Sequence, residues 1–338
     1  MTDTGTDPMV SEHDLKLLHG LQIAPRVSWA EAARILDSTP PALAARFERL
    51  WSAGLAWMTA HRSGSYLGMV FALVEIDCVP GTRSDVIRTL CADRRVLTIE
   101  ESARGRDLML TVRTGDLPEL TRLVLDEMPT VPGLERQRTL VCTAVHRDVS
   151  NWRLDALDQR ETQGFAAAAQ TTRTVPGTMP PPDAGPLIEA LAEDGRRTAA
   201  DIARVTGRNP ATVRRQLPRL LTSGLVQLRC EVSQTVTTWS ISSTWLARVA
   251  PADQKRTVDA LATLPELRFC ASTTGDANIA FTVWTHSPTD LLRLEHRIGA
   301  ALPWMTVRDI GINLRTPKRM GRLLDQQGRA TGQHVPLL

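Results

Sequence analysis

The hydrophobic pattern between Asn209 and Leu225 predicts an amphipathic helix. Its apolar side chains recur at intervals of three and four residues, namely Val213, Leu217, Leu220 and Leu221. That spacing places side chains on one face of a helix. Arginines follow the same spacing on another face, and Gly224 stands where a glycine commonly ends a helix. The segment therefore predicts a short helix with one buried and one cationic face.

The same pattern occurs a second time, 170 residues earlier. Residues 39–55 (TPPALAARFERLWSAGL) align with residues 209–225 without a gap. The matched pairs include Pro40 with Pro210, Arg49 with Arg219, Gly54 with Gly224, and upstream Leu17 with Leu187 and Arg26 with Arg196. Matches at one constant offset over about forty residues indicate a tandem duplication.

Each copy begins with three short helices, capped by residues such as Ser11 and Ser28, and a short strand that would form a wing. From Leu67 the period becomes strand-like, and the order βαββαβ follows, as it does again after the second copy, at an offset of 171. This order is the ferredoxin-like arrangement, whose sheet leaves one face free to pair. We predict that these faces pair either within the chain or between chains.

These patterns predict an α+β protein with two winged helix-turn-helix domains and two ferredoxin-like βαββαβ domains in tandem. The predicted boundaries are 11–62 and 184–232 for the helix-turn-helix domains, 67–148 and 234–316 for the βαββαβ domains, 151–183 for a helix and Pro/Ala/Thr-rich linker, and 317–338 for a polar, loose tail.

Composition narrows the class of protein. The five cysteines are scattered without a C-x-x-C pair, so we expect neither a disulfide framework nor a metal site, and no cofactor. No apolar run reaches the roughly 20 residues of a membrane helix, and the N-terminus lacks a secretion signal, so we expect a cytoplasmic protein. The net charge is only +3. Residues 184–231 alone carry eight arginines against five acids, a local patch of positive charge.

The domain order and the motifs DLKLLHGLQ, RFERLWSAGLAW and TTGDANIAF resemble the leucine-responsive/asparagine-regulator (Lrp/AsnC) class of bacterial transcription factors. The resemblance covers nearly the whole chain apart from the linker and tail. It implies sequence-specific binding of double-stranded DNA and RAM-type effector domains that form homodimers or higher homo-oligomers. It also implies control by a small molecule, often an amino acid.

A helix with one apolar and one arginine-bearing face suits a DNA groove. The alternative is an ordinary solvated surface. The candidate DNA-binding residues are Ser38, Thr39, Ala42, Arg46 and Arg49 in the first copy and Arg208, Asn209, Thr212, Arg214, Arg215 and Arg219 in the second. Arginines can hold phosphates or guanine edges, whereas small residues suit close approach. We therefore predict that the second copy contributes more. Pro218 lies within its helix and could kink or shorten it, which would favour the first copy.

The turn before the third strand of the second βαββαβ domain is the candidate effector site, with Thr273, Thr274, Gly275, Asp276 and Asn278. Glycine admits a ligand to the backbone, and Asp276 could bind an ammonium group. The alternative is a plain hairpin turn. The matching turn of the first copy, with Arg104, Arg106 and Asp107, lacks the leading glycine and would suit an anion.

An enzyme is the rival interpretation, because siroheme decarboxylases resemble the same domain plan. His146 and His286, at predicted strand ends, could serve a tetrapyrrole, although such histidines are commonly surface residues. A DNA-binding architectural protein without an effector is a third interpretation. No catalytic arrangement of residues stands out, so we expect a regulator and no enzyme.

Overall fold

The computed structural model describes residues 10–63, 68–103, 105–149, 152–170 and 173–337. The chain divides into two units. We call Met1–Arg62 with Arg153–Val236 the helical unit, and Ser63–Trp152 with Thr237–Leu338 the sheet unit. Each unit therefore draws on both halves of the chain.

The helical unit contains two sets of three helices, each followed by a strand. Their bounds are α1 Glu12–Ile23, α2 Trp29–Ile35, α3 Pro40–Ser52, β1 Ala56–Arg62, α6 Gln159–Ala169, α7 Gly185–Glu193, α8 Ala199–Thr206, α9 Pro210–Thr222 and β6 Val226–Val232. The predicted caps are confirmed, since the hydroxyls of Ser11 and Ser28 accept hydrogen bonds from the first turns of α1 and α2. The bounds of α9 and β6 lie 170 residues after those of α3 and β1.

The two wing strands pair with each other. β1 runs antiparallel to β6, from Ala56 opposite Val232 to Arg62 opposite Val226. Two matched arginines reinforce this junction from either side. Arg26 donates to the carbonyl oxygens of Gly195 and Arg197 at 2.6 and 3.0 Å. Arg196 donates to those of Pro25 and Val27 at 2.7 and 2.8 Å. We call these four bonds the reciprocal arginine latch.

The predicted linker differs from the structure in one respect. A helix was expected at residues 151–160, but α6 begins only at Gln159, capped by Asp158, and packs within the helical unit. Its Phe165 is fully buried beside Gly20 of α1, where a Cβ atom would overlap the phenyl ring. One aromatic ring in a matching gap therefore anchors a segment whose composition has little apolar bulk.

The sheet unit contains two βαββαβ segments. Their bounds are β2 Val70–Cys78, α4 Arg83–Ala92, β3 Val96–Ser102, β4 Leu108–Thr114, α5 Leu117–Thr121 with a π-helical turn Arg122–Glu127, and β5 Leu134–Arg147 in the first. In the second they are β7 Ile241–Arg248, α10 Gln254–Ala262, β8 Leu267–Thr273, β9 Ile279–Thr285, α11 Pro288–Ala301 and β10 Thr306–Arg319. Each segment has its own apolar core beneath its helices.

The two segments join edge to edge into one ring of strands. The order is β3, β4, β2, β5, β8, β9, β7, β10, and β10 returns to β3. A third apolar cluster, including Leu73, Met109, Leu140 and Leu246, brings both segments together on the faces away from the helices. The pairing that the free sheet faces predicted thus occurs within the chain.

The tail was expected to be loose, and this expectation was wrong for much of it. β10 extends to Arg319, and the short strands β11 Arg322–Leu324 and β12 Ala330–His334 add to the sheet beside it. Lys318 is fully buried, and its Nζ donates to the carbonyl oxygens of Cys91 and Asp93 at 2.8 and 2.7 Å. A polar sequence is ordered here because α4 ends in carbonyl groups that a cation can satisfy.

Across the part of the chain that the structure describes, no helix combines the length and apolar character needed to cross a membrane.

Candidate nucleic-acid interface

The helix α9 is fixed by its termini and by its apolar face. Gly207, with φ of +66°, ends α8 in the left-handed conformation, and the side chain of Asn209 caps α9 by accepting from the backbone of Ala211 and Thr212. Val213, Leu217 and Leu220 are buried in the core of this half of the helical unit. Every third or fourth residue is thus held inward, so the arginines between them face outward.

Three of the predicted DNA-binding arginines are exposed on α9: Arg214, Arg215 and Arg219. Among the described residues, neither Arg214 nor Arg215 has a hydrogen bond or ion pair with another side chain. Arg219 only reaches the carbonyl oxygen of Met179, at 3.5 Å. Arg208 differs from them because it pairs with Asp183. Thr212 is half-buried.

The arginines of α3 are held by a single buried acid. Arg46 and Arg49 donate to Asp14 Oδ1 at 3.0 and 2.8 Å, and the Asp14 side chain is 1% exposed. Burial by itself would raise the pKa of Asp14, but hydrogen bonds from Ser11 and from the two arginines outweigh it and lower the pKa. Among the other predicted residues of this copy, Thr39 caps α3, while Ser38 and Ala42 are exposed.

The two helices therefore present different surfaces. Residues 208–222 carry four arginines and no acid, +4, whereas residues 38–52 carry two arginines and one glutamate, +1. The residue that matches Asp14 at the offset of 170 is Ala184, which cannot hold an arginine. Sequence reasoning treated Asp14 only as an acid in a first helical turn. The contrast between Asp14 and Ala184 was the signal that could have revealed its role.

Pro218 does not shorten α9. The helix continues through it to Thr222, whose hydroxyl donates to the Pro218 carbonyl oxygen at 2.9 Å. The proline side chain is exposed, so its ring does not disturb the packed face. α3 and α9 are both 13 residues long.

The predicted effector turn of the second copy is largely occupied by its own hydrogen bonds. Both ends of the Asn278 amide pair with the backbone of Val249 at 2.9 Å. Thr273 donates to the Ala277 carbonyl oxygen, and Thr274 accepts from the backbone of Val141. Gly275 has a φ of +104°. Asp276 is exposed and is the one predicted ligand group of this turn with no described partner. These bonds favour the hairpin interpretation for Thr273 and Asn278.

The first copy uses its turn in the same way. Asp107 accepts from the Cys78 backbone at 2.7 Å and pairs with Arg83, so it ties the turn to the end of β2. Arg104 lies outside the described residues. Arg106 is 1% exposed and bonds Glu75 and Asp309 at 2.8 and 2.7 Å. An anion at Arg106 would have to displace one of these carboxylates.

The Arg106 pair is replaced as a unit in the second copy. At the offset of 171, Glu75 corresponds to Leu246 and Arg106 to Ala277. Leu246 and Ala277 both belong to the apolar cluster between the two segments. A charged pair and an apolar pair thus occupy matching positions of the same ring.

Comparisons with known proteins agree with this surface. Residues 187–227 match the family model of winged helix-turn-helix DNA-binding domains. An uncharacterised HTH-type transcriptional regulator of Pyrococcus furiosus is 24% identical over 144 residues, which cover 41% of this chain and 95% of that protein. The segment that contains α8, α9 and the start of β6 is therefore a winged helix-turn-helix of the DNA-binding class.

Among solved structures, the siroheme decarboxylase NirDL is similar over 92% of this chain and 93% of its own, with a TM-score of 0.56 and 12% identity. Its complex with an iron-uroporphyrin III analogue gives a TM-score of 0.57 and 13% identity. AsnC of E. coli covers 40% of this chain and 93% of its own, with a TM-score of 0.33 and 15% identity. At these identities the NirDL likeness indicates a shared fold and does not identify an activity.

Proposed function

We propose that this protein is a sequence-specific DNA-binding transcriptional regulator of the Lrp/AsnC type, in which a reader-plus-sensor unit occurs twice in one chain. The observation that carries the proposal is the exposed arginine face of α9, within a segment that matches the winged helix-turn-helix model. Unpaired arginines on an exposed helix supply both phosphate contacts and bidentate guanine contacts. The name of the Pyrococcus relative supports a role in transcription.

The duplication is supported by the recurrence of element bounds. α9 and β6 follow α3 and β1 at 170 residues, and β8 and β9 follow β3 and β4 at 171. The strand pairings between the two segments give one chain the contacts that a pair of single units would make. No second chain is required for two helix-turn-helix sets to act together.

A small-molecule effector, such as an amino acid, remains part of the proposal. Asp276, exposed beside the positive-φ Gly275, is the group in the predicted turn that could bind an ammonium ion. Calorimetric titration with a panel of amino acids tests this point. Absence of heat, with DNA binding intact and unchanged by the same compounds, would leave the effector-free architectural alternative.

DNA binding itself is tested by electrophoretic shift with the region beside the protein's own gene, at several salt concentrations. Phosphate contacts predict affinity that falls steeply as salt rises. Arg215→Ala and Arg219→Ala should each weaken binding more than Arg46→Ala or Arg49→Ala, since Asp14 already holds the latter two arginines. Equal losses would contradict the assignment of α9 as the main contact.

Siroheme decarboxylation is the second candidate, and the fold likeness to NirDL over 92% of the chain favours it. The predicted histidines give it little support. His146 bonds Ser272 at 2.7 Å, His286 lies 4.0 Å from the Trp239 ring centroid, and both histidines are exposed. A changed absorbance spectrum on mixing the protein with siroheme, followed by loss of carboxyl groups, would replace the regulator proposal.

A further inference from the structure

We propose that one chain recognises an asymmetric pair of DNA half-sites, one read by α9 through arginine contacts to guanine and the other read by α3 through small, uncharged groups. This inference rests on the proposed function and extends it to the chemistry of the operator.

The exposed positions of the two helices differ where base edges would be met. At the offset of 170, Ala44 and Ala45 of α3 correspond to Arg214 and Arg215 of α9, and Glu48 corresponds to Pro218. Ala45, Arg214 and Arg215 are exposed. The surface of α3 therefore replaces two cations by methyl groups and adds one negative charge, whereas both helices have the same length and cap type.

The arginines left on α3 cannot replace them. Arg46 and Arg49 share Oδ1 of Asp14, so reaching a base would leave a buried carboxylate with fewer donors. Arg219, which matches Arg49, has no such acid because Ala184 stands at the position of Asp14. The difference between the helices thus extends from their surface to the residues that support them.

The two helix sets also act as one body within the helical unit. β1 and β6 form seven residue pairs, and the reciprocal arginine latch crosses the same junction. Burial, together with repulsion from Arg26, lowers the pKa of Arg196 to about 10, yet all four of its and Arg26's carbonyl contacts are retained. A rigid pair of unlike readers fixes both the spacing and the polarity of the two half-sites.

The chemistry of each half-site follows from its helix. Arginine forms bidentate bonds with O6 and N7 of guanine, while an alanine methyl group contacts the thymine methyl. Glu48 would accept from the amino group of cytosine and would repel nearby phosphates. We therefore expect guanine in the α9 half-site and a weaker, thymine-tolerant preference in the α3 half-site.

The test is selection of bound sequences from a random duplex library by the full chain, repeated with variants that exchange the helix surfaces. Arg214→Ala with Arg215→Ala should remove the guanine preference from one half-site and leave the other unchanged. Ala44→Arg with Ala45→Arg should add guanine preference to the second half-site. Affinity for the selected wild-type duplex should fall about tenfold or more in the first variant.

Arg204→Ala is the matched control, since Arg204 is an exposed arginine of the preceding helix paired with Asp201. It should alter neither half-site. A symmetric palindrome selected by the wild type, or equal erosion of both half-sites in the α9 variant, would overturn the asymmetry and leave the proposed function standing. No enrichment of any sequence would overturn the proposed function and this inference together.

Discussion

Asp14 shows at the level of one residue why similar arginines have different roles. Its carboxylate caps the start of α1 through Ser11 and holds Arg46 and Arg49 of α3. Ala184 occupies the matching place in the second copy. The arginines of α3 therefore stabilise the fold, while those of α9 are left for a ligand.

We expect Asp14→Ala to lower the free energy of unfolding of the helical unit by about 1–3 kcal/mol, since three charged or polar partners lose a buried acceptor. Urea titration followed by circular dichroism measures the loss. Glu31→Ala is the control, because Glu31 pairs with Arg34 at an exposed position where such pairs contribute about 0–1 kcal/mol. A loss no larger than that of the control would show that the Asp14 contacts are dispensable.

His19 gives the helical unit a dependence on pH. Its Nδ1 accepts from the backbone of Ala156 and Leu157 at 3.2 and 3.1 Å. Burial, with a contribution from Arg153, lowers the pKa of His19 to about 4. The unfolded state therefore binds the extra proton first as pH falls.

Stability from His19 should be complete above pH 6.5 and should fall by at most about 1.4 kcal/mol per pH unit as pH decreases toward 4. Unfolding titrations across this range, compared with His19→Gln, isolate the contribution. Parallel pH profiles for the two proteins would contradict the assignment of a neutral His19.

At the level of elements, β2 and the turn before β4 carry the charged pair Glu75 and Arg106, whereas β7 and its matching turn carry Leu246 and Ala277. Removing one partner of a buried pair leaves the other uncompensated, which commonly costs more than removing both. The second copy supplies the apolar solution at the same position of the ring.

Arg106→Ala should therefore destabilise the sheet unit by about 3–5 kcal/mol, and adding Glu75→Leu should recover part of that loss. Thermal unfolding of the wild type, both single variants and the double variant gives the interaction energy directly. Strict additivity of the two substitutions would mean that the pair makes no specific contribution. Arg136→Ala, at an exposed ion pair with Asp77, is a suitable control.

For the whole molecule, the reciprocal arginine latch joins the first and second halves of the chain across the β1 and β6 junction. Arg196 also lies over the Trp29 ring at 4.1 Å. Both arginines are kept at the offset of 170, which the sequence displayed without indicating what they bind.

Arg26→Ala and Arg196→Ala should each lower the free energy of unfolding by about 1–3 kcal/mol, since each loses two bonds from a charged donor to a carbonyl. Lysine at either position should restore only part of it, because one ammonium lacks the planar fork that reaches two carbonyls. Chemical denaturation measures both effects. Arg160→Ala, at an exposed pair with Asp37, should change little.

The sequence by itself determined the helices and strands, their caps and their repetition, because these depend on local periodicity and on backbone groups a few residues apart. It also placed the unpaired arginines on α9. Only the tertiary structure decided that Asp14 holds the α3 arginines, that Asn278 and Asp107 tie their own turns, and that β5 pairs with β8 and β10 with β3. Those contacts join residues far apart in the chain, whose proximity depends on packing of whole elements and leaves no periodic signal.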